Sequence, residues 1–153
     1  MPFDLRFQYQ KQLTLNAPVS EVLSFLKNYS RALPSTFPGL HRFEERQKNL
    51  FFWEFEPLEY GGKKLEVTFT TRFQDLGERI QINPTEDSQT TALSGYWQVS
   101  SQQSHTCIAM LFDLSFKMPF PQFLKSVVSP VAQAELTKLF DRYATNLQHH
   151  FSY

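Results

Sequence analysis

The sequence contains one cysteine, Cys107, among its 153 residues. A single cysteine excludes an internal disulfide and removes the usual sign of an oxidising compartment. The first residues lack the basic and apolar regions of a signal peptide, and no apolar run approaches the ~20 residues that a membrane-spanning helix needs. The sequence therefore predicts a cytoplasmic protein without a transmembrane segment.

An excess of charge of either sign is also absent, because 15 Lys and Arg residues balance 15 Asp and Glu residues. The longest basic run is Lys63-Lys64. A nucleic-acid-binding protein normally concentrates positive charge on one face or segment. We therefore expect no nucleic-acid partner.

Motifs that hold metals, cofactors or activated nucleophiles are missing as well. The four histidines, His41, His105, His149 and His150, do not recur at a metal-ligand spacing. No glycine-rich phosphate-binding motif and no G-x-S-x-G motif occurs. Cys107 has no neighbouring base that would activate its thiol. The sequence predicts no metal and no cofactor, and it favours a protein that is not an enzyme.

Aromatic residues are abundant: 16 Phe, 6 Tyr and 2 Trp make up 16% of the chain. A core rich in large flat rings is either tightly packed or lines a cavity, and composition does not choose between the two. The length suits one domain with a substantial core, so we expect a single domain over residues 1–153.

Hydrophobic periodicity predicts the order of the secondary structure. Residues 7–15 alternate apolar and polar side chains, which is typical of a strand with one buried face. Two short helices follow within residues 16–36, before Pro38 and Gly39. Six further strands alternate in the same way and are separated by short turns. Their approximate bounds are residues 40–46, 50–56, 65–73, 80–82, 93–99 and 106–117.

The hydrophobic periodicity of residues 121–153 predicts one long amphipathic helix. Its start has two interpretations: Ser129 as N-cap with Pro130 in the first turn, or a helix that runs from about Phe123 and is kinked at Pro130. Strands joined by short turns pair antiparallel. The chain therefore predicts an α+β fold, in which a seven-stranded curved antiparallel sheet has two short helices after its first strand and the long helix across its concave face.

Three segments carry a family resemblance: residues 17–26, Phe37-Pro38-Gly39 and residues 135–147. Together with the order of elements, they resemble the helix-grip fold of the START and Bet v 1-like (SRPBCC) superfamily, over the whole chain. The resemblance implies a cavity between sheet and last helix. In relatives this cavity binds lipids, quinones, polyketides, steroids or plant hormones, and a minority of relatives are aromatases, cyclases or hydrolases. The motifs assign no subgroup.

Nine inward-facing positions are the candidate ligand-binding residues of such a cavity, with plain core packing as the alternative for each. They are Trp53, Phe55, Val67, Phe69, Trp97, Met110, Phe112, Leu139 and Tyr143. Gly95 lies among them and removes a side chain where the helix or a ligand approaches closely. The cavity mouth is expected at Phe37, Pro38 and Gly39, with the turns at residues 61–62 and 83–89.

Lys11 is the tenth candidate, because it falls in the buried register of the first strand. An unpaired charge there is costly, so its ammonium group is a candidate to bind a carboxylate or phosphate at the cavity mouth. The alternatives are a bulge that turns Lys11 outward or a snorkelling side chain.

The sequence thus predicts a non-catalytic protein that binds a small hydrophobic or amphipathic molecule, such as a lipid, a quinone or a polyketide. Inner aromatics in mutual contact with no void would contradict this prediction. A cyclase- or hydrolase-type enzyme would instead need a polar pair inside the cavity. The candidates for that pair are Lys11, Thr71, Tyr143 and His150.

The convex face of the sheet offers a third interpretation. Cys107, Ala109 and Leu111, with Tyr96 beside them, predict an apolar patch that suits a protein-interaction module or a weak homodimer. The carboxylates of Glu54 and Glu56 are also expected on the convex face, in contact with water.

Overall fold

The computed structural model describes residues 3–60, 62–85 and 91–151. Within these ranges the chain forms nine strands, three α-helices and one 3-10 turn. In chain order they are β1 (Phe3–Leu15), α1 (Val19–Lys27), α2 (Tyr29–Thr36), β2 (Leu40–Gln47), β3 (Leu50–Phe55), β4 (Leu58–Tyr60), β5 (Lys63–Leu65), β6 (Thr68–Asp75), β7 (Arg79–Pro84), β8 (Thr91–Gln102), β9 (His105–Met118), the 3-10 turn (Gln122–Leu124) and α3 (Lys125–His150).

Seven strands form one antiparallel sheet in the order β1-β9-β8-β7-β6-β3-β2. β1 pairs with β9 along its whole length, from Phe3 opposite Met118 to Leu15 opposite Thr106. β2 carries two register shifts against β3 at the far edge, and such bulges bend a strand. This arrangement confirms the helix-grip fold with two short helices after the first strand and a long C-terminal helix.

The inner face of the sheet follows the alternation of the sequence. Every second residue of β9 from Thr106 to Met118 is buried, and the residues between them are partly or fully exposed. Such a pattern places one face of the strand against a core and the other against water. The core therefore lies between the sheet and α3.

α3 runs beside β1 and in the same direction. The side-chain amide of Gln133 donates to the carbonyl of Arg6 at 2.9 Å, and that of Gln148 donates to the carbonyl of Thr14 at 3.3 Å. Because these bonds reach the backbone of an edge strand, they hold the helix over one side of the sheet. The opposite side, at β3 and β6, is where space remains.

Of the two starts considered for the last helix, the structure has the earlier one. α3 begins at Lys125 and contains Pro130 in its interior. Ser129 does not cap the helix, since its Oγ is buried without a hydrogen-bond partner among the residues described. The helix continues upstream because Val128 is buried against the core, and tertiary packing of this kind outweighs the loss of one hydrogen bond at proline.

A short hairpin departs from the predicted strand over residues 65–73. β4 and β5 form a separate two-stranded sheet, and the main sheet resumes only at Thr68. Gly62 turns the hairpin with φ +78°, a conformation that glycine adopts without strain. The periodicity continued through Glu66 and Val67, so the sequence did not reveal the break.

Gly95 is required by the neighbouring strand. A Cβ built on it would lie 2.1 Å from the carbonyl oxygen of Leu111 in β9. Glycine at position 95 is therefore explained by contact with β9, and not by the approach of the helix or a ligand as expected. The close contact is made by backbone, which has little freedom to move away.

Candidate functional site

A cavity of about 360 Å³ lies between α3 and the β3–β6 side of the concave face. One wall comprises Trp53, Phe55 and Phe69 from the sheet with Val67 from the segment before β6, and the helix wall comprises Leu136, Leu139 and Phe140. The loop of Phe37, Pro38 and Gly39 borders it, as expected for the cavity mouth. Of the two turns also expected there, residues 61 and 86–89 lie outside the described residues. An enclosure with these walls accepts apolar surface and offers it few polar partners.

The rim of this larger cavity carries charge. Glu56, Glu135 and Arg142 line it. Glu135 lies 3.4 Å from the ammonium group of Lys138. Arg142 makes no ion pair or hydrogen bond with any residue in the described ranges, so its guanidinium is available to a ligand at the rim.

Sequence reasoning missed these rim residues. Glu56 was expected on the convex face, but it follows the last residue of β3, where strand alternation no longer applies. Glu135, Leu139 and Arg142 are spaced i, i+4 and i+7, and this spacing places them along one side of a helix. That signal was present in the sequence beside Leu139.

A second, smaller cavity of about 240 Å³ adjoins the first. Leu65, Phe116 and Phe120 lie on one side of it, and Val128 and Val131 lie on the other. The two cavities share the wall formed by Glu135 and Leu136. Both therefore open beneath α3 on the N-terminal side of Tyr143.

The C-terminal half of α3 covers a filled core instead. Tyr143 stacks on Phe37 with ring centroids 4.4 Å apart, and its hydroxyl accepts a hydrogen bond of 3.0 Å from the indole of Trp97. Burial raises the pKa of the Tyr143 phenol, and the bond from Trp97 opposes this rise. Phe112 packs edge-on against Trp97 at 5.3 Å. Rings in such contact leave no space for a ligand between them.

The nine inward candidates therefore separate into two groups by position. Trp53, Phe55, Val67, Phe69 and Leu139 line the larger cavity. The other four are buried in the filled core and line neither of the two cavities. They are Trp97, Met110, Phe112 and Tyr143.

Trp53 belongs to the cavity wall and is itself held in place. It is fully buried, and its indole donates a 2.7 Å hydrogen bond to the hydroxyl of Thr71. Its ring also packs on Phe69 at 5.2 Å. A large ring with both its polar atom and its face satisfied forms a rigid wall.

Lys11 lies opposite Met110 in the β1–β9 ladder, yet its side chain is exposed. Of the two alternatives considered for Lys11, the snorkelling side chain agrees with this position, since its long stem allows the ammonium group to reach water. His150 is also exposed and stacks on Phe25 at 3.9 Å. Neither residue lines the two cavities.

The other two polar candidates for an enzyme, Thr71 and Tyr143, are buried, but each bonds an indole. Thr71 accepts from Trp53, and Tyr143 accepts from Trp97. Hydrogen bonding within the described residues does not join the two hydroxyls to each other. General acid and base chemistry requires a paired arrangement near the substrate, and these two groups do not make one.

On the convex face, the residues of the expected patch are only partly exposed. Tyr96, Cys107, Ala109 and Leu111 are all half-buried. The guanidinium of Arg79 lies 3.9 Å from the centre of the Tyr96 ring and covers part of it. The apolar surface on this face is therefore narrower than the alternation suggested.

Among the residues described, three or more His, Cys, Asp and Glu side chains nowhere come together as a possible metal site. The helices in these ranges include none with the length and apolar character to cross a bilayer.

No family model matches the sequence, and no curated protein matches it. Solved structures match in fold. The KanY protein is 12% identical, with a TM-score of 0.68 over 94% of this chain and 96% of that chain. A START superfamily protein from Mycobacterium smegmatis is 15% identical, with a TM-score of 0.67 over 94% and 96%. The Zhui aromatase/cyclase from Streptomyces sp. R1128 is 12% identical, with a TM-score of 0.63 over 95% and 93%.

At these identities the likeness concerns the fold alone. The chain has the START and Bet v 1-like helix-grip fold, as the resemblance in its sequence implied. Matches that span nearly the whole of both chains leave little room for a different arrangement of the sheet and last helix.

Proposed function

We propose that this protein binds a small hydrophobic or amphipathic molecule between α3 and the sheet, as a single domain over residues 1–153. The observation that supports the proposal is the larger cavity of about 360 Å³, with Trp53, Phe69 and Leu139 in its walls. The inner aromatics do touch one another, yet a void remains beside them. The single cysteine suits a reducing compartment, and we propose the cytoplasm.

The size of the cavity narrows the class of ligand. Sites for small molecules usually measure about 300–1,000 Å³, so a volume of about 360 Å³ is near the lower end. We infer a molecule with one aliphatic chain or a few fused rings. A lipid with two long chains would need more space than the larger cavity offers.

The charged rim suggests how the ligand is oriented. Its apolar part would lie against Trp53 and Phe69, and its polar end would lie beside Arg142 at the rim. A guanidinium without a partner binds carboxylate or phosphate oxygens through two parallel N–H groups. Lys11, which does not line the cavity, becomes the weaker of the two candidate anion contacts.

The experiment that tests the proposal is native mass spectrometry of protein purified from its own source, followed by displacement of a bound apolar dye. Leu139→Trp fills the cavity from the helix side, and we expect it to weaken dye binding by at least about tenfold, since it removes the apolar surface that the dye buries. Leu76→Trp, on an exposed turn, is the matched control and leaves binding unchanged. Equal binding by both variants would contradict the proposal.

The contact made by the polar end of the ligand is tested by displacing the dye with a fatty acid and with the alcohol of the same chain length. We expect Arg142→Gln to weaken displacement by the acid and to leave displacement by the alcohol unchanged. Lys11→Met is the parallel variant, and a selective loss there would assign the anion contact to Lys11 instead.

An enzyme of the aromatase or cyclase type is the second candidate, because one matching structure is described as an aromatase/cyclase. The ionisable groups at the larger cavity are Glu56, Glu135 and Arg142, so such chemistry would take place at the rim. Turnover of a linear polyketide analogue that is lost in Arg142→Gln would favour this candidate over binding alone.

Weak self-association through the apolar patch on the convex face of the sheet is a separate proposal. Light scattering that gives the mass of a monomer at high concentration would exclude it.

A further inference from the structure

An apolar stripe on the outside of α3 is not explained by the cavity. Within the described residues, four large apolar side chains are exposed: Leu76 at 49%, Phe123 at 80%, Val127 at 57% and Val131 at 42%. Val127 and Val131 are spaced i and i+4 on one side of α3, and Phe123 precedes them in the 3-10 turn that leads into the helix. We call Phe123, Val127 and Val131 the exposed stripe.

The exposed stripe is continuous with the smaller cavity. Val131 belongs to the stripe and also lines that cavity. Val128, one residue beyond Val127, is buried in the cavity wall. Apolar surface therefore extends without a break from solvent into the space beneath α3.

The segment that carries the stripe contains no acidic residue. Residues 114–134 contain no Asp or Glu, whereas the whole chain has 15, and they include Lys117 and Lys125. The two carboxylates that line the smaller cavity, Glu59 and Glu135, lie within 3.8 Å and 3.4 Å of Lys64 and Lys138. The surroundings of the stripe thus suit an anionic partner.

The area of the stripe argues against a second copy of the chain as that partner. A stable protein interface buries about 800 Å² on each side, and three side chains cover much less. A lipid surface needs no such area, because each apolar side chain that enters it contributes separately. Phenylalanine is also one of the residues that surface-bound helical segments bury in the boundary between headgroups and acyl chains.

From these observations we propose that the exposed stripe docks the protein on a lipid surface with anionic headgroups. The docked orientation brings the opening of the smaller cavity against the acyl region of the bilayer. An amphipathic ligand passes between bilayer and cavity along Val131 without crossing water, and this last step rests on the proposed function.

The test is sedimentation of the full chain with vesicles of phosphatidylcholine, alone or mixed with phosphatidylglycerol. We expect binding to the mixed vesicles, and a loss of at least about tenfold in the double variant Phe123→Ser/Val127→Ser, since burial of a phenylalanine exceeds that factor. Leu76→Ser, which removes an exposed apolar side chain elsewhere on the surface, keeps full binding. Lys125→Gln loses about fivefold on the mixed vesicles only.

A spectroscopic measurement covers the case in which the double variant fails to fold. Phe123→Trp places an indole on the stripe, and its emission shifts to the blue when mixed vesicles are added. The proposal is overturned by an absence of wild-type binding to both kinds of vesicle, by equal binding of the double variant, or by a wild-type dimer that this variant dissociates.

The membrane-docking proposal and the proposed function can be rejected independently of each other. Leu139→Trp fills the larger cavity and leaves the stripe intact, so it loses the dye but keeps vesicle binding. Vesicle binding without any dye or ligand binding would retain the docking surface and reject the proposed function.

Discussion

The two halves of α3 rest on the same sheet but on different kinds of surface. The C-terminal half buries Tyr143 and Leu147 against rings that touch one another. The part of the helix up to Arg142 places Leu136 and Leu139 over cavities of about 360 and 240 Å³. One amphipathic helix therefore acts as a core element at one end and as the cover of a binding site at the other.

The difference comes from the shape of the sheet and, at the smaller cavity, also from side-chain size. Aromatic rings from the loop at Phe37, from β8 and from β9 fill the space under Tyr143. At the smaller cavity the helix contributes Val128, Ala132 and Leu136, whereas rings such as Phe69 and Phe140 border the larger one. A twisted sheet diverges from a straight helix toward its ends, and small side chains do not close the gap.

The largest effect should come from truncation in the filled half. We expect Tyr143→Ala to lower the free energy of unfolding by about 4 kcal/mol, because it opens a cavity in a packed aromatic core. Leu139→Ala should cost only about 1 kcal/mol, since its half-buried side chain already faces a void. Urea denaturation of both variants measures the contrast, and equal costs would remove the distinction between the halves.

Gly95→Ala tests how closely the backbones of β8 and β9 approach each other within the sheet. The added methyl group meets the Leu111 carbonyl, so we expect a loss of about 3 kcal/mol from overpacking. Gly77→Ala is the control: its φ of +87° is strained for alanine, but nothing lies within 4 Å of the new atom. A cost of about 1 kcal/mol is expected there, and a matching cost for Gly95→Ala would refute the steric cause.

The smallest effect concerns alkaline pH. The folded pKa of Tyr143 is raised, so its contribution to stability is fully present below the unfolded value of about 10 and is lost as the pH rises above it. Tyr143→Phe should therefore lose less stability than wild type for each pH unit above that value. Two other tyrosines contribute the part that remains: Tyr29, whose pKa burial raises to about 12, and Tyr9, whose pKa is raised by burial and by its hydrogen bond to Asp141.

The same pH series has a matched control. Trp97→Phe removes the indole that bonds Tyr143 but keeps the phenol, so it should retain the wild-type dependence on pH. Urea midpoints across the alkaline range provide the measurement. A dependence that is unchanged in Tyr143→Phe would show that this phenol does not control it.

Much of the fold was predictable because it depends on local patterns. Alternation marked the buried face of β9, and short turns required antiparallel neighbours. The hairpin β4–β5 was not predictable in this way, since Glu66 and Val67 continue the alternation while the chain leaves the main sheet. The start of α3 depended on burial of Val128, which competes with a good capping sequence at Ser129 and Pro130.

The candidate site was predictable in position but not in extent. The sequence placed Trp53, Phe69 and Leu139 on surfaces that face each other, and it did the same for Trp97 and Phe112. Which of these rings meet and which border a void depends on distances of a few ångströms between elements. Arg142 was overlooked because its charge alone does not reveal that it borders a cavity.

The sequence by itself determined the order of elements, the inward face of each strand and the abundance of rings in the core, because these follow from periodicity and composition. Only the tertiary structure decided that one half of α3 packs on rings and the other covers a space. The divergence of helix from sheet, and the contact of residues far apart in the chain, are set by how all the elements pack together. The exposed stripe has the same origin, since burial of Val128 turns its neighbour Val127 toward solvent and leaves Val131 at the edge of the smaller cavity.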